Sequence, residues 1–260
     1  MKLVNQQCAL SEFQSLAESD RHSILIEGIE GCGKTYLAKK YSELINCDDF
    51  QVVEPKVQSI KDAITTCYQI DTKVVICIEN LDSGVLAASY ALLKFLEEPA
   101  NHVYIVVTCR NIQHVPDTIV SRSAVVTVPS PKPCDLVSYA QLVDNAQYSY
   151  LQNKPIWQCA KTFKDVDTIL TLTPQKVDYY NNLNNSLKKS DSIYNMMWAL
   201  QKYPDGSSTP LELVIRYIMY TTSSNVVWSA GHECLKELID GRIANHAVLA
   251  KFLFEFKYTQ

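Results

Sequence analysis

No apolar run in the chain approaches the ~20 residues that a membrane-spanning helix requires. Its opening residues, Met1-Lys2-Leu3-Val4-Asn5-Gln6-Gln7, carry no long apolar stretch of the kind a signal peptide uses. A cytoplasmic location without a membrane partner is therefore expected. Paired cysteines are also missing: Cys8, Cys32, Cys47, Cys67, Cys77, Cys109, Cys134, Cys159 and Cys234 are scattered with no C-x-x-C spacing. In a chain of 260 residues this pattern points to reduced, mostly buried thiols and away from a zinc site. The histidines, His22, His102, His114, His232 and His246, are equally dispersed and outline no metal cluster. Nor is there an excess of positive charge. A formal net charge of −4 excludes a protein that coats nucleic acid over its whole surface, but it leaves room for a local basic patch. No internal repeat is visible.

What the chain does have is 47% hydrophobic content, enough to bury a substantial core in one large domain or two to three small ones. Its most informative segment is Ile24-Leu25-Ile26-Glu27-Gly28-Ile29-Glu30-Gly31-Cys32-Gly33-Lys34-Thr35, which fits the phosphate-binding pattern G-x-x-x-x-G-K-[ST]. Glycines let the backbone curl until successive N–H groups face one centre, where they and the N-terminus of the following helix hold phosphate oxygens. Ser23 to Glu27 is apolar and β-branched, and the residues after Thr35 have helical spacing. This strand-turn-helix context argues against a chance glycine turn. Gly28, Gly31, Cys32, Gly33, Lys34, Thr35 and Tyr36 are the candidate nucleotide contacts. Lys34 is expected at the β- and γ-phosphates of a bound nucleotide, and Thr35 at Mg²⁺.

Short apolar runs at Ile24 to Glu27, Phe50 to Val53, Lys73 to Glu79, Tyr104 to Cys109 and Ala124 to Val128 read as strands. Helical patterns at Thr35 to Leu44, Val57 to Tyr68 and Val85 to Glu98 separate them, an alternation that predicts a mostly parallel sheet covered on both faces. Pro129-Ser130-Pro131-Lys132-Pro133 marks a boundary, beyond which strand signals nearly vanish. Helical patterns follow, including Leu211 to Tyr220, Val226 to Ile239 and Ile243 to Phe256. The polar stretch Tyr179 to Ser186 reads either as a joint between two helical parts or as an exposed helix end. The expected organisation is a nucleotide-binding domain over residues 1–129, a helical lid over 130–186 and a helical collar over 187–260. In the collar, Leu211, Val214, Ile215, Ile218, Leu235, Leu238 and Ile239 form apolar faces larger than a small lid needs.

A phosphate-binding loop requires an acidic partner on a neighbouring strand, and Lys73-Val74-Val75-Ile76-Cys77-Ile78-Glu79-Asn80-Leu81-Asp82 places Glu79 where it can hold the Mg²⁺ shell. The following position, commonly a glutamate that polarises attacking water, is Asn80, which cannot accept a proton as a carboxylate does. Next come Tyr90-Ala91-Leu92-Leu93-Lys94-Phe95-Leu96-Glu97-Glu98-Pro99, the strand Val103 to Cys109, and Val115-Pro116-Asp117-Thr118-Ile119-Val120-Ser121-Arg122-Ser123. In this combination the chain resembles the gamma and delta-prime clamp-loader subunits of bacterial DNA polymerase III. These are AAA+ proteins in which LLK-x-LEEP precedes the sensor-1 strand and T-I-x-S-R-C carries an arginine finger.

The resemblance covers residues 22 to 128. It implies an AAA+ α/β domain followed by lid and collar, with Glu79 at the Walker B acid, Thr108 at sensor 1 and Arg122 as the finger. It further implies ATP and Mg²⁺ as cofactors, with other clamp-loader subunits, a sliding clamp and primer–template DNA as partners. The chain departs from the pattern at Asn80 and at Ser123. It also lacks a four-cysteine module, and only Lys161 and Lys164 are loose candidates for a sensor-2 cation.

Alternatives stay open at this stage. One is a structural subunit that does not hydrolyse ATP and supplies Arg122 to a neighbour. Another is an AAA+ or P-loop protein outside replication, including a small-molecule kinase. Arg122 also reads as a solvated arginine, Asp82 as a cap of the next helix, and Tyr36, Tyr41, Tyr68 and Tyr90 as core packers. Lys39, Lys40, Lys61 and Arg110 fit either a DNA-facing surface or an ordinary solvated face.

Overall fold

A computed structural model of the protein describes residues 7–19, 21–69, 71–190, 192–201, 204, 210–222, 224–240 and 244–258. Residues 1–6, Ile243 and the side chains of Cys8 and Ile239, all of which entered the sequence expectations, lie outside what is described. The chain divides into two compact units. One comprises residues 1–139 with 162–164, and the other residues 140–161 with 165–260.

The first unit is built on five strands: β1 Ser23–Glu27, β2 Asp49–Val53, β3 Val74–Ile78, β4 Val103–Cys109 and β5 Ala124–Thr127. They form one sheet in the order β2-β3-β4-β1-β5, every neighbouring pair parallel. Alternate residues of the central strands feed two separate cores. Leu25, Ile76 and Ile105 belong to one, and Ile24, Ile26, Cys77 and Val106 to the other. Burial on both faces is why β3 and β4 read as unbroken apolar runs, since a parallel sheet leaves no strand face to water.

Five helices cover the sheet: α1 Gln7–Glu18, α2 Lys34–Leu44, α3 Val57–Tyr68, α4 Leu86–Glu97 and the single turn α5 Asp117–Val120. Phe13 of α1 and Leu37, Ala38 and Tyr41 of α2 fill one core, while Ile60 and Ile64 of α3 and Ala88, Leu92 and Phe95 of α4 fill the other. Tyr68 and Tyr90 depart from the expectation of core packing, being 51% and 57% exposed. On α4 the stripe Ala88, Leu92, Phe95 and Leu96 takes the buried face, so Tyr90, together with Leu86 one turn before it, is turned outward.

The second unit is helical in its described residues. The helix α6, Pro133–Leu151, enters it with a break at Asp144 (φ −153°, ψ 92°), and α7 to α12 follow at Phe163–Leu170, Pro174–Lys188, Ile193–Gln201, Leu211–Thr221, Asn225–Asp240 and Asn245–Tyr258. The polar stretch 179–186 lies inside α8, and the helix runs on through it. Thr173 caps the start through its hydroxyl, Pro174 opens the first turn, and Val177, Tyr180, Leu183 and Leu187 make a buried stripe at helical spacing. Asn181, Asn182 and Asn185 lie off that stripe, so their polarity does not interrupt the helix. On α10, Leu213, Val214, Ile215 and Ile218 are buried within the unit, where Tyr217 packs its ring 5.4 Å from that of Tyr180. These side chains are taken up by the unit's own packing.

Among the described cysteines, Cys32, Cys67, Cys77, Cys109, Cys159 and Cys234 are buried. Burial pushes the thiols of Cys77 and Cys109 from the ordinary 9.0 up to about 12. Folding thus favours the neutral thiol, a contribution complete below pH 9.0 and lost as pH rises toward about 12. Urea unfolding midpoints should therefore fall as pH climbs through this window, and a Cys77→Val, Cys109→Val variant should show a shallower fall. An identical pH slope in the two proteins would contradict the assignment.

Candidate nucleotide and metal site

Strand register decides which residues meet. Ile26 pairs with Thr108 and Glu27 with Cys109, while Ile78 pairs with Val107, so Glu79 comes level with Thr108 at the end of β3. The loop that follows β1 starts at this same edge of the sheet. It is pinned there by the Gly28 N–H, which donates to the Cys109 carbonyl at 3.1 Å, and by the Val128 N–H, which donates to the Glu27 carbonyl at 2.7 Å.

Gly31 (φ 75°) and Gly33 (φ 96°) take left-handed backbone conformations that cost other residues about 1–2 kcal/mol. Gly33 is the N-cap of α2, whose first N–H groups have no intrahelical acceptors and face the loop with the positive end of the helix dipole. Inside the loop the Lys34 ammonium donates to the carbonyls of Gly28 at 2.7 Å and Ile29 at 2.9 Å, and the residue is only 6% exposed. An ammonium has three donors, so one remains for a further acceptor. No carboxylate pairs with Lys34 among the described residues, and a buried cation without a counter-charge is costly.

Thr35 and Glu79, the two candidate metal ligands, are in contact: the Thr35 hydroxyl donates to Glu79 Oε1 at 2.5 Å. A hydroxyl and a carboxylate side by side form the hard-oxygen pair that Mg²⁺ takes from a protein while keeping waters and phosphate oxygens in its remaining positions. Thr108 is 1% exposed, and its Oγ1 accepts the backbone N–H of Asn80 at 2.9 Å. Asn80 itself is left-handed (φ 49°, ψ 54°), a conformation in which asparagine is strongly favoured over glutamate.

Cys32 sits in the loop with its side chain fully buried, and burial pushes its thiol pKa up. Its backbone N–H donates to the Ile29 carbonyl at 3.4 Å. Tyr36 is half-buried, with the Lys40 ammonium 5.6 Å from its ring centre.

Asp82 does not cap α4. Val85 occupies that position without a side-chain bond, because the tight turn Leu81–Ser83 intervenes. Instead Asp82 Oδ2 accepts the Arg110 N–H at 3.1 Å. The Arg110 guanidinium is not a solvated surface group either: it pairs with Glu30 at 3.0 Å. Lys164, one of the two loose lid candidates, pairs with the same carboxylate at 2.6 Å. Its neighbour Phe163 donates its backbone N–H to the Gly31 carbonyl at 3.1 Å. The pairing of Arg110 with Glu30 was not legible in the sequence, where Arg110 reads as a surface cation and Glu30 as an unspecified position of the glycine pattern, and Lys161 instead lies 4.7 Å from the ring centre of Tyr220.

Arg122 lies at the opposite edge of the sheet. It precedes β5, whose Ala124 pairs with Ile24 near the start of β1. At about 3.3 Å per residue, the length of β1 puts roughly 15 Å between this end and the phosphate-binding loop. Arg122 pairs with Glu97 at 2.8 Å and donates to the Thr118 carbonyl at 2.9 Å. The Ser123 hydroxyl, 2.8 Å from that of Ser23, also donates to the Ile119 carbonyl at 2.9 Å, tying this turn to β1. Beside Arg122 opens a cleft of about 350 Å³ also lined by Arg21, His22, Ser23, Leu96 and Pro99.

Residues 51–132 match the family model described as DNA polymerase III, delta subunit. The chain is 26% identical over 131 residues to DNA polymerase III subunit tau of Bacillus subtilis, the match covering 39% of this chain and 23% of that protein. It is 24% identical over 131 residues to DNA polymerase III subunit gamma of Buchnera aphidicola, covering 39% and 36%. This chain resembles DNA polymerase III subunits. The match spans only between about a quarter and a little over a third of these relatives' lengths.

Among solved structures, a gamma-subunit-related protein of Thermotoga maritima superposes with a TM-score of 0.63 at 14% identity, covering 96% of this chain and 99% of that one. The RuvB Holliday junction branch migration motor of the same organism gives 0.53 at 12% identity, covering 97% and 88%. These likenesses give the fold: an AAA+ α/β domain with a helical C-terminal part.

The buried Thr108–Asn80 contact makes a direct forecast. Thr108→Val removes the acceptor of a backbone N–H and should cost about 1–3 kcal/mol in urea unfolding, whereas Thr108→Ser should retain most of the stability. Equal stabilities for the two variants would show that the hydroxyl does not hold the turn.

Proposed function

We propose that the chain is an ATP-binding AAA+ subunit of a DNA-replication clamp loader, helping to open a sliding clamp and place it on primer–template DNA alongside sister subunits in the cytoplasm. The observation that carries the nucleotide part is the buried Lys34 ammonium, held inside a glycine loop at the N-terminus of α2 with Thr35 and Glu79 in contact beside it. The similarity to gamma and tau subunits supports the replication part. In this reading residues 1–129 bind the nucleotide, 130–186 form a lid and 187–260 a collar.

ATP with Mg²⁺ supplies the γ-phosphoryl group and its charge. The chain's own part is to bind and orient it: Gly28, Gly31, Cys32 and Gly33 through backbone, Lys34 through its ammonium, Thr35 and Glu79 as metal ligands, and Tyr36 from the first turn of α2. Thr108 orients the turn that bears Asn80. Arg122, at the far edge of the sheet, acts on a neighbouring subunit's nucleotide. Its ion pair with Glu97 joins groups 36% and 51% exposed, an interaction worth at most about 1 kcal/mol, so the guanidinium can leave it at little cost.

Asn80 favours slow hydrolysis by this subunit itself, because an amide orients water without accepting its proton. A largely structural subunit that binds ATP and contributes Arg122 to its neighbour is therefore the second reading.

Lys34→Ala should weaken ATP binding by about 10- to 100-fold in a chain of unchanged circular dichroism, the loss expected for one charge-assisted bond. Unaltered affinity in fluorescent-nucleotide titration would remove the nucleotide assignment. In the assembled complex, Arg122→Ala should spare this chain's ATP binding while slowing turnover at the adjacent site. Asn80→Asp suits the left-handed backbone and should raise this chain's single-turnover hydrolysis, up to the ~10²- to 10⁴-fold typical of a general base. Fast hydrolysis by the native chain would show that another group already serves as base.

A further inference from the structure

Two cations, Arg110 and the sensor-2 candidate Lys164, converge on Glu30, a residue to which the reading above gives no role. The Glu30 carboxylate stands in the crest of the phosphate-binding loop, between Ile29, whose carbonyl holds Lys34, and left-handed Gly31. It pairs with Lys164 Nζ through one oxygen and with Arg110 Nη2 through the other. Both cations are anchored by backbone rather than by the carboxylate alone. The Arg110 N–H is held by Asp82 at the end of β4. Lys164 follows Phe163, whose N–H is on Gly31. A Cβ added at Gly31 would come within 2.7 Å of Thr162 Oγ1 and 2.8 Å of Lys164 Cβ, so this segment lies directly on the loop.

Resting on the nucleotide-binding reading, we propose that Glu30 is an internal competitor at the mouth of the loop, a carboxylate that the outermost phosphate of ATP displaces from Arg110 and from the sensor-2 candidate Lys164. Three features make the exchange feasible. Glu30, Arg110 and Lys164 are 42%, 29% and 66% exposed, so the existing pairs are partly hydrated and weak. A phosphate offers more acceptor oxygens and more charge than a carboxylate, and arginine binds it bidentately. Glu30 is held ionised, first by its bond to Lys164 and further by the charges of Arg110 and Lys34. It therefore repels an incoming phosphate as well as occupying its ligands. The competition falls on the γ-phosphate more than on the β-phosphate, because Lys34 already serves the loop interior.

The test is isothermal titration of the full chain with Mg²⁺-ATP and Mg²⁺-ADP, comparing native protein with Glu30→Gln, Lys164→Ala and the double variant. Glu30→Gln keeps the side-chain shape and should tighten ATP binding by on the order of tenfold, with a smaller gain for ADP. Lys164→Ala, at an exposed side chain, should weaken ATP more than ADP. In the double variant the gain from Glu30→Gln should shrink. Native protein that binds ATP while a folded Glu30→Gln variant binds it equally or more weakly would overturn the competitor role and leave the nucleotide reading intact. So would Lys164→Ala weakening ATP and ADP alike. If neither native protein nor Glu30→Gln binds ATP better than Lys34→Ala does, the nucleotide reading itself fails and this proposal with it.

Discussion

Parallel register is the constraint on which everything else in the first unit depends. Since β1, β3 and β4 run the same way and pair without offset at their ends, the residues that follow them are delivered to one edge: the glycine loop after β1, Glu79 after β3, Thr108 and Arg110 at the end of β4. No side chain has to reach far. A slip of one residue in β3 would move Glu79 off the level of Thr108 and exchange the two cores, because alternate residues of each strand belong to opposite faces. The same rule places Arg122 at the other edge, since it comes before β5 and not after it. One sheet thus keeps the glycine loop, Glu79 and Thr108 at one end and Arg122 at the other.

Around the loop, polar contacts divide by burial. Lys34 is sealed in and, among the described residues, is bonded to backbone carbonyls, so its position is set by the loop. Glu30, Arg110 and Lys164 lie at the boundary with water, where ion pairs are exchangeable. A site built this way has a rigid floor and an adjustable rim. The floor is fixed by left-handed glycines and by backbone bonds from Gly28 to Cys109 and from Phe163 to Gly31, while the rim is three charges whose partners can change.

Asn80 looks different in structure than it does as a missing carboxylate. Its backbone is left-handed and its N–H is taken by a buried threonine hydroxyl, so the residue type answers a conformational requirement as well as a chemical one. The turn after β3 also directs Asp82 to the Arg110 backbone, which couples the acidic segment to the end of β4. Thr108 through the Asn80 N–H and Asp82 through the Arg110 N–H thus tie the segment after β3 to the end of β4.

By itself the sequence determined the local structure. Apolar runs bounded by turn residues located the five strands of the sheet, glycine and Gly-Lys-Thr spacing located the glycine turn between β1 and α2, and apolar periodicity located α3, α10 and α11, because these signals depend on neighbours within a few residues. Tertiary structure alone decided what sequence spacing does not encode. It brought Glu30 to Arg110 and Lys164 across separations of 80 and 134 residues, turned Tyr68 and Tyr90 outward, buried the α10 face within its own unit, and carried α8 through its asparagines on an apolar stripe. Each outcome depends on which surface a residue meets, and that is fixed only when strands take their order and helices take their faces.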